Sequence, residues 1–225
     1  MNILVTACYR VKSERYGDTS HEDYEEMTNL CVKSFKKNLN SLDKIIVLKG
    51  EVDSYHQVFK DIFSRIYALY KTGNMNILFV DSDTVCVKPV SIFYYYNNFR
   101  MFSQAEQFRT AFPSNVSREL YNDLSPWYLS NLRYYPMNLS KGIWDRAKDL
   151  YQKWIDVWAY ECIIYNTMMH SQDIEFNNMP EMNYQYIDGQ DHLNCGIKIE
   201  EASIIHCQST RGSRVALDKM KGLTA

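Results

Sequence analysis

Two aspartates one residue apart, Asp81-Ser82-Asp83, follow directly on the apolar run Ile77-Leu78-Phe79-Val80. Residue type alone says little, because fifteen aspartates in 225 residues make ~1 such pair expected by chance. Placement says more. A short apolar run of this kind reads as a buried strand, and open parallel sheets bind ligands beyond the carboxyl ends of their strands. Two carboxylates at a spacing of two point the same way if the chain stays extended. Their repulsion is costly unless a cation compensates it. Hard divalent cations take carboxylate oxygens and leave positions open for phosphate. The pair therefore reads as a Mn²⁺ or Mg²⁺ site that grips a diphosphate. The plainer alternative is an aspartate pair that caps a loop.

His206 is the second anchor. It follows the apolar segment Ala202-Ser203-Ile204-Ile205 and precedes Arg211 and Arg214. A neutral imidazole can complete a metal shell, and guanidinium groups hold phosphate oxygens. The expected metal ligands are thus Asp81, Asp83 and His206. A histidine at a strand end with a purely structural role is the alternative. His21, His56, His170 and His192 have no comparable setting.

Elements must bring these groups together. Residues 2–8 read as a buried strand. Ser20 to Leu39 reads as a helix, with Thr19 and Glu22 at capping-box spacing. Lys44 to Leu48 is a second strand. Tyr55 to Tyr70 keeps apolar residues at i, i+3, i+4 for four turns and stops at Gly73-Asn74. Asn76 to Val80 is the third strand. Strands alternating with such helices indicate a mostly parallel sheet covered by helices on both faces, an α/β fold. Farther on, Arg100 to Ala105 reads as a strand and 113–140 as loop. Ile143 to Trp158 and Glu161 to Met169 read as helices, 170–203 as polar and broken, and 202–205 as the last strand. No linker or repeat divides the chain. One domain is expected, with residues 1–105 as its ligand-binding half and 106–225 as the other.

Charge narrows the classes. Twenty-five basic against twenty-seven acidic residues give a net charge of −2, which argues against a nucleic-acid partner or an anionic membrane. Neither GxGxxG nor GxxxxGK[ST] occurs, so no glycine loop cradles a phosphate. No apolar stretch reaches the ~18 residues of a membrane span. The N-terminal segment lacks a basic n-region and a full apolar core, so a cytoplasmic protein is expected. Six cysteines without a CxxC pair then read as reduced core residues. Eighteen tyrosines could form a carbohydrate-stacking surface, but a bias in genome composition, shared with Asn, Ile and Lys, is the preferred explanation.

The segments Ile77-Leu78-Phe79-Val80-Asp81-Ser82-Asp83-Thr84-Val85 and Ile204-Ile205-His206-Cys207, in this order, resemble those of GT-A fold nucleotide-sugar glycosyltransferases. Both segments resemble those of the glycogenin and bacterial galactosyltransferase group, which retains anomeric configuration. The chain is also similar to compact soluble glycosyltransferases of large DNA viruses and phages, which would place it in a host cytoplasm. The resemblance implies transfer of a sugar from a nucleoside-diphosphate sugar, with UDP favoured, to a glycan, glycoprotein or other hydroxyl acceptor. It implies donor contacts at Thr6, Ala7 and Cys8, at Arg65 on the helix before the DxD strand, and at Asp81, Ser82 and Gln104. Glu106 and Glu161 become the candidate catalytic carboxylates, Glu161 opening a helix that also carries Asn166. The family's Asn-x-Gly strand is missing, and Arg133-Tyr134-Tyr135-Pro136 stands near its place. Its C-terminal Lys-Pro-Trp is absent too, so Arg211 or Arg214 would substitute.

Three other classes fit parts of the pattern. The aspartate pair also resembles the first motif of haloacid-dehalogenase-like phosphatases, although two strands precede it here. A sugar-nucleotide pyrophosphorylase would open with a Gly-rich basic loop, and Tyr9 to Gly17 holds one glycine. A carbohydrate-binding module would bind glycan without nucleotide.

Overall fold

The computed structural model describes residues 1–12, 20–95, 98–105, 127–154, 160–170, 184–186, 198–209 and 211–225. Along β1 (Asn2–Val11) and β3 (Asn76–Val80), successive side chains enter opposite cores. Ile3, Val5, Ile77 and Phe79 face one layer, and Leu4, Leu78 and Val80 face the other. A strand covered on both faces reads as a continuous apolar run, which is why periodicity of two is absent from both.

β1 pairs in parallel with β2 (Lys44–Val52) on one side and with β3 on the other. Two further strands, β5 (Arg100–Ala105) and β6 (Trp127–Tyr135), extend the sheet from β3 with antiparallel pairings, in the order β2-β1-β3-β6-β5. The α/β architecture with helices on both faces stands as expected. The sheet itself is mixed, parallel in its first half and antiparallel in its second.

One face is covered by α1 (His21–Asn38), whose Met27, Cys31 and Phe35 are buried, and by α6 (Ser213–Thr224) with Leu217 and Met220. The other face is covered by α2 (Tyr55–Lys71), α4 (Lys141–Trp154) and α5 (Tyr160–His170). Trp144 of α4 stacks on Tyr135 of β6 at 5.3 Å and 10°, in a cluster that includes Phe63 and Tyr70. A short α3 (Ile92–Tyr95) follows β4 (Thr84–Cys86). β4, β8 (Ile204–His206) and β7 (Tyr184–Gln185) form a second, three-stranded sheet in the order β4-β8-β7.

Several boundaries differ from expectation for identifiable reasons. The cap of α1 is Ser20, whose hydroxyl accepts from the Asp23 N–H, with Glu22 hydrogen-bonded to that same hydroxyl. Thr19 lies outside the described residues. Residues 127–135 are a strand rather than loop. Prolines 126 and 136 bracket that segment instead of interrupting it, and Asn131 to Tyr135 are all buried, so alternation was hidden. β1 runs on to Val11, three residues past the expected end at Cys8. The last dozen residues form a helix that the charge pattern alone did not mark. Residues 155–159 and most of 171–197 lie outside the description. Among the described residues, no helix is long and apolar enough to cross a membrane. The cysteines described as free, Cys8, Cys31, Cys86 and Cys207, are buried.

Candidate metal centre

Asp81 is the last residue held in the β3–β6 ladder, its N–H donating to the Asn131 carbonyl at 2.9 Å. The chain then turns. The Thr84 N–H reaches the Asp81 carbonyl at 3.2 Å, closing a β-turn over Asp81-Ser82-Asp83-Thr84. An extended Asp-x-Asp would also align two carboxylates, but here the turn brings them together.

The turn is held on three sides. From α1, the Ser34 hydroxyl accepts from the Cys86 N–H at 3.0 Å and the Asn38 amide donates to the Cys86 carbonyl at 2.6 Å. The Cys31 thiol lies 3.9 Å from the Asp81 carbonyl. From β8, the Cys207 N–H donates to the Asp83 carbonyl at 2.7 Å. β4 and β8 pair antiparallel with Thr84 opposite His206. That register sets the imidazole beside the aspartates: His206 Nε2 is 3.1 Å from Asp83 Oδ1. His206 belongs to the strand itself and reaches the site from the second sheet.

One ligand atom each from Asp81, Asp83 and His206 lies within 4.8 Å of the others. The residues fit a divalent cation. Two hard oxygens and an imidazole nitrogen suit Mn²⁺ or Mg²⁺. Adjacent ligands of an octahedral site with bonds of about 2.1 Å are about 3.0 Å apart, close to the separation of His206 and Asp83. The side chains are mostly out of water, with 19% of Asp83 and 8% of His206 exposed.

Electrostatics favours added positive charge. Burial, and then the repulsion of Asp83, push the Asp81 carboxyl up to about 6; His206 and Arg133 act against this. Burial opposes ionisation of Asp83 too, but attraction and a hydrogen bond from His206 outweigh it and hold Asp83 below the usual carboxylate range. Burial disfavours the imidazolium of His206, yet Asp83 prevails and raises its pKa. Two carboxylates that cannot both ionise cheaply are a site short of positive charge.

Three neighbours, Tyr24, Tyr55 and Arg133, are given no site role by the sequence alone, although Arg133 falls near the place of the family's Asn-x-Gly strand. Tyr24 of α1 senses both aspartates and is bonded to Tyr55, and its phenol is pushed up by burial, by Tyr55 and by Asp83. Arg133 of β6 is 3% exposed, with its guanidinium centred 4.1 Å from the Phe79 ring and 4.0 Å from the Tyr165 ring. The signal for Arg133 was a single arginine in an otherwise aromatic and neutral run. For the tyrosines, helical spacing of Tyr24 with Thr28 and Cys31 was the signal, and it read equally well as core.

The other expected donor contacts sit as follows. Thr6 and Cys8 are buried, Thr6 beside the Cys31 thiol and Cys8 beside Thr28, while Ala7 is partly exposed. Ser82 is buried at the head of the turn. Arg65 is ion-paired with Asp61 at 2.7 Å, and Asp61 also accepts from the Tyr9 hydroxyl. Those three, with Gly50, line an open cleft of about 390 Å³ at the ends of β1 and β2. None of the cation ligands lines that cleft. Arg214 pairs with buried Asp23 at 2.7 Å, and Arg211 is exposed. Gln104 lies on β5 and Glu161 near the start of α5, their side chains outside the description; Glu106 lies outside the described residues altogether.

No protein-family model matches the chain, and no curated protein matches it in sequence. Among solved structures, the chain is similar to the apo structure of the bifunctional glycosyltransferase WbbM. The TM-score is 0.55 at 10% identity, over 90% of this chain and 45% of that one. The chain thus spans less than half the length of that protein. The likeness is one of fold: a GT-A-like α/β domain that carries a cluster able to hold a metal.

Proposed function

We propose that the chain is a metal-dependent glycosyltransferase that moves a sugar from a nucleoside-diphosphate sugar to a hydroxyl acceptor. The observation that carries this reading is the convergence of half-buried Asp81 and Asp83, at the carboxyl end of β3, with buried His206 of β8. Such a cluster is costly to build, and a cation would offset the repulsion between its carboxylates. Asp81 and Asp83 are half-buried rather than sealed, and a diphosphate beyond the strand end would complete the shell of a cation held there. UDP is the favoured nucleotide and Mn²⁺ the favoured metal, both on the resemblance of the two segments.

In this reading Asp81, Asp83 and His206 hold the divalent ion, which when bound supplies Lewis-acid neutralisation of the departing diphosphate. Asp81 and Ser82 lie against the donor. The C–O bond from the anomeric carbon to the leaving phosphate breaks as that carbon gains oxocarbenium character. The acceptor oxygen forms the new bond and gives up its proton. With retention, which the resemblance favours, a leaving phosphate oxygen takes that proton. With inversion a carboxylate base is required, and Glu161 is the candidate, one helical turn before Tyr165 on α5. Glu106 is the second candidate.

The test is a thermal-shift panel of nucleoside diphosphates with and without Mn²⁺, followed by transfer or slow hydrolysis of the matching nucleotide sugar. Stabilisation by a diphosphate only when Mn²⁺ is present, and turnover lost in Asp83→Ala, are expected. Activity that ignores metal, or full activity in the variant, rejects the reading.

A further inference from the structure

Arg133 is an odd residue to bury. Its β-ladder position is opposite Phe79, two residues along from the Asp81–Asn131 contact, and its charge is felt at Asp81. Residues two apart on a strand share a face, so Arg133 and Asp81 are diagonal neighbours on one side of the sheet, about 7 Å apart at Cβ. The guanidinium cannot wander, because Phe79 grips one face and Tyr165 of α5 the other. It cannot lose its proton either. Both rings lie within about 4 Å of the guanidinium carbon, so its charge is fixed in place in a poorly hydrated interior. A hydrophobic side chain of similar volume would serve the core as well or better.

We propose that Arg133 is a fixed counter-charge that competes with a divalent cation for Asp81 and so keeps the affinity of the site for the bare cation low. The inference rests on reading Asp81, Asp83 and His206 as a cation site. In a metal-free protein the guanidinium partly neutralises the carboxylate pair. When a cation enters, the same fixed charge repels it through a poorly screened interior. An anionic donor arriving with the cation cancels both positive charges. Metal would then stay with the site chiefly while a diphosphate is bound.

The experiment is Mn²⁺ binding at about pH 8, where the carboxylates are ionised, read from the free-Mn²⁺ electron paramagnetic resonance signal. Wild type, Arg133→Met and Arg133→Lys are compared without nucleotide. Arg133→Met, which keeps an apolar filler between the rings, is expected to bind Mn²⁺ roughly tenfold more tightly. Arg133→Lys, which keeps the charge, is expected within about threefold of wild type. A gain in affinity is not what a merely structural arginine would produce, since loosening the site weakens binding. Unchanged or weaker binding in Arg133→Met overturns the proposal, as does an equal gain in Arg133→Lys. Arg133→Gln is measured alongside, and it decides the matter on the same criterion if the methionine variant does not fold. If wild type and all variants leave Mn²⁺ free even with UDP added, the cation-site reading fails first, and Arg133 with it.

Discussion

His206 Nε2 lies 3.1 Å from Asp83 Oδ1 because β4 and β8 pair with Thr84 opposite His206. The contact joins the turn after the central sheet to a strand of the second sheet. The imidazole gives Asp83 both a hydrogen bond and a positive neighbour, which hold that carboxyl below its usual range.

Asp83→Asn removes one charge and keeps an oxygen in place. It is expected to abolish Mn²⁺-induced thermal stabilisation and to weaken Mn²⁺ by more than the roughly 10–100-fold that loss of a supporting partner costs. Calorimetric titration measures this directly. A variant that binds Mn²⁺ as wild type does would show that Asp83 is no ligand.

The pH dependence has a sign that can be worked out. Asp81 holds its proton more tightly folded than unfolded, so its contribution declines as pH rises from about 4 to about 6. His206 is raised as well, so its stabilisation is complete below about 6.5 and is lost as pH climbs through the raised value. Asp83 is lowered, so its contribution is lost only in acid, below about 4. Metal-free protein is therefore expected to lose a few degrees of Tm between about pH 4 and pH 8. Asp81→Asn should be flat in the lower part of that window. Mn²⁺ works in the opposite sense, because its ligands must shed protons. Its affinity should rise with pH and its binding should release protons. Melting curves in chelator and in Mn²⁺ test both statements.

Asp23 ties α1 to α6. It is 3% exposed, accepts from the Ser213 hydroxyl at 2.9 Å and pairs with Arg214 at 2.7 Å. Asp23→Ala leaves that hydroxyl without its acceptor and should cost about 2 kcal/mol in urea unfolding. Arg214 is 62% exposed, so Arg214→Ala should cost under about 1 kcal/mol. If Arg214 serves only this bridge, UDP affinity in the presence of Mn²⁺ will not change. A clear drop would place its free donors on the donor phosphates.

Trp144 is 1% exposed and meets four aromatic rings, Phe63, Tyr67, Tyr70 and Tyr135. Trp144→Ala should destabilise the protein by about 3–5 kcal/mol. Chemical unfolding gives the figure, and a loss below about 1 kcal/mol would mean that this layer repacks freely.

The strands β1 and β3 and the helices α1 and α2 were legible because local signals agree there: apolar runs of strand length, or apolar residues at helical spacing with caps. β6 was not, since Arg133 breaks its apolar run and both its faces are covered. The placement of Asp81 and Asp83 at a strand end was legible for the same local reason. The partnership with His206 was guessed from order along the chain and from resemblance. The neighbours Tyr24, Tyr55 and Arg133 carried no local mark that separated them from core residues.

The sequence by itself determined the residue types that can hold a cation, the α/β alternation and the strand end that presents the aspartates. Tertiary structure alone decided the antiparallel half of the sheet, the turn that converges the carboxylates, and the register that brings His206 to Asp83. It also decided that Arg133 lies close enough to Asp81 to act on its charge, and that Arg65 pairs with Asp61. The division has a physical cause. Periodicity and capping are written in neighbouring residues, whereas the charge felt by a buried carboxylate is set by groups that only the packed chain places around it.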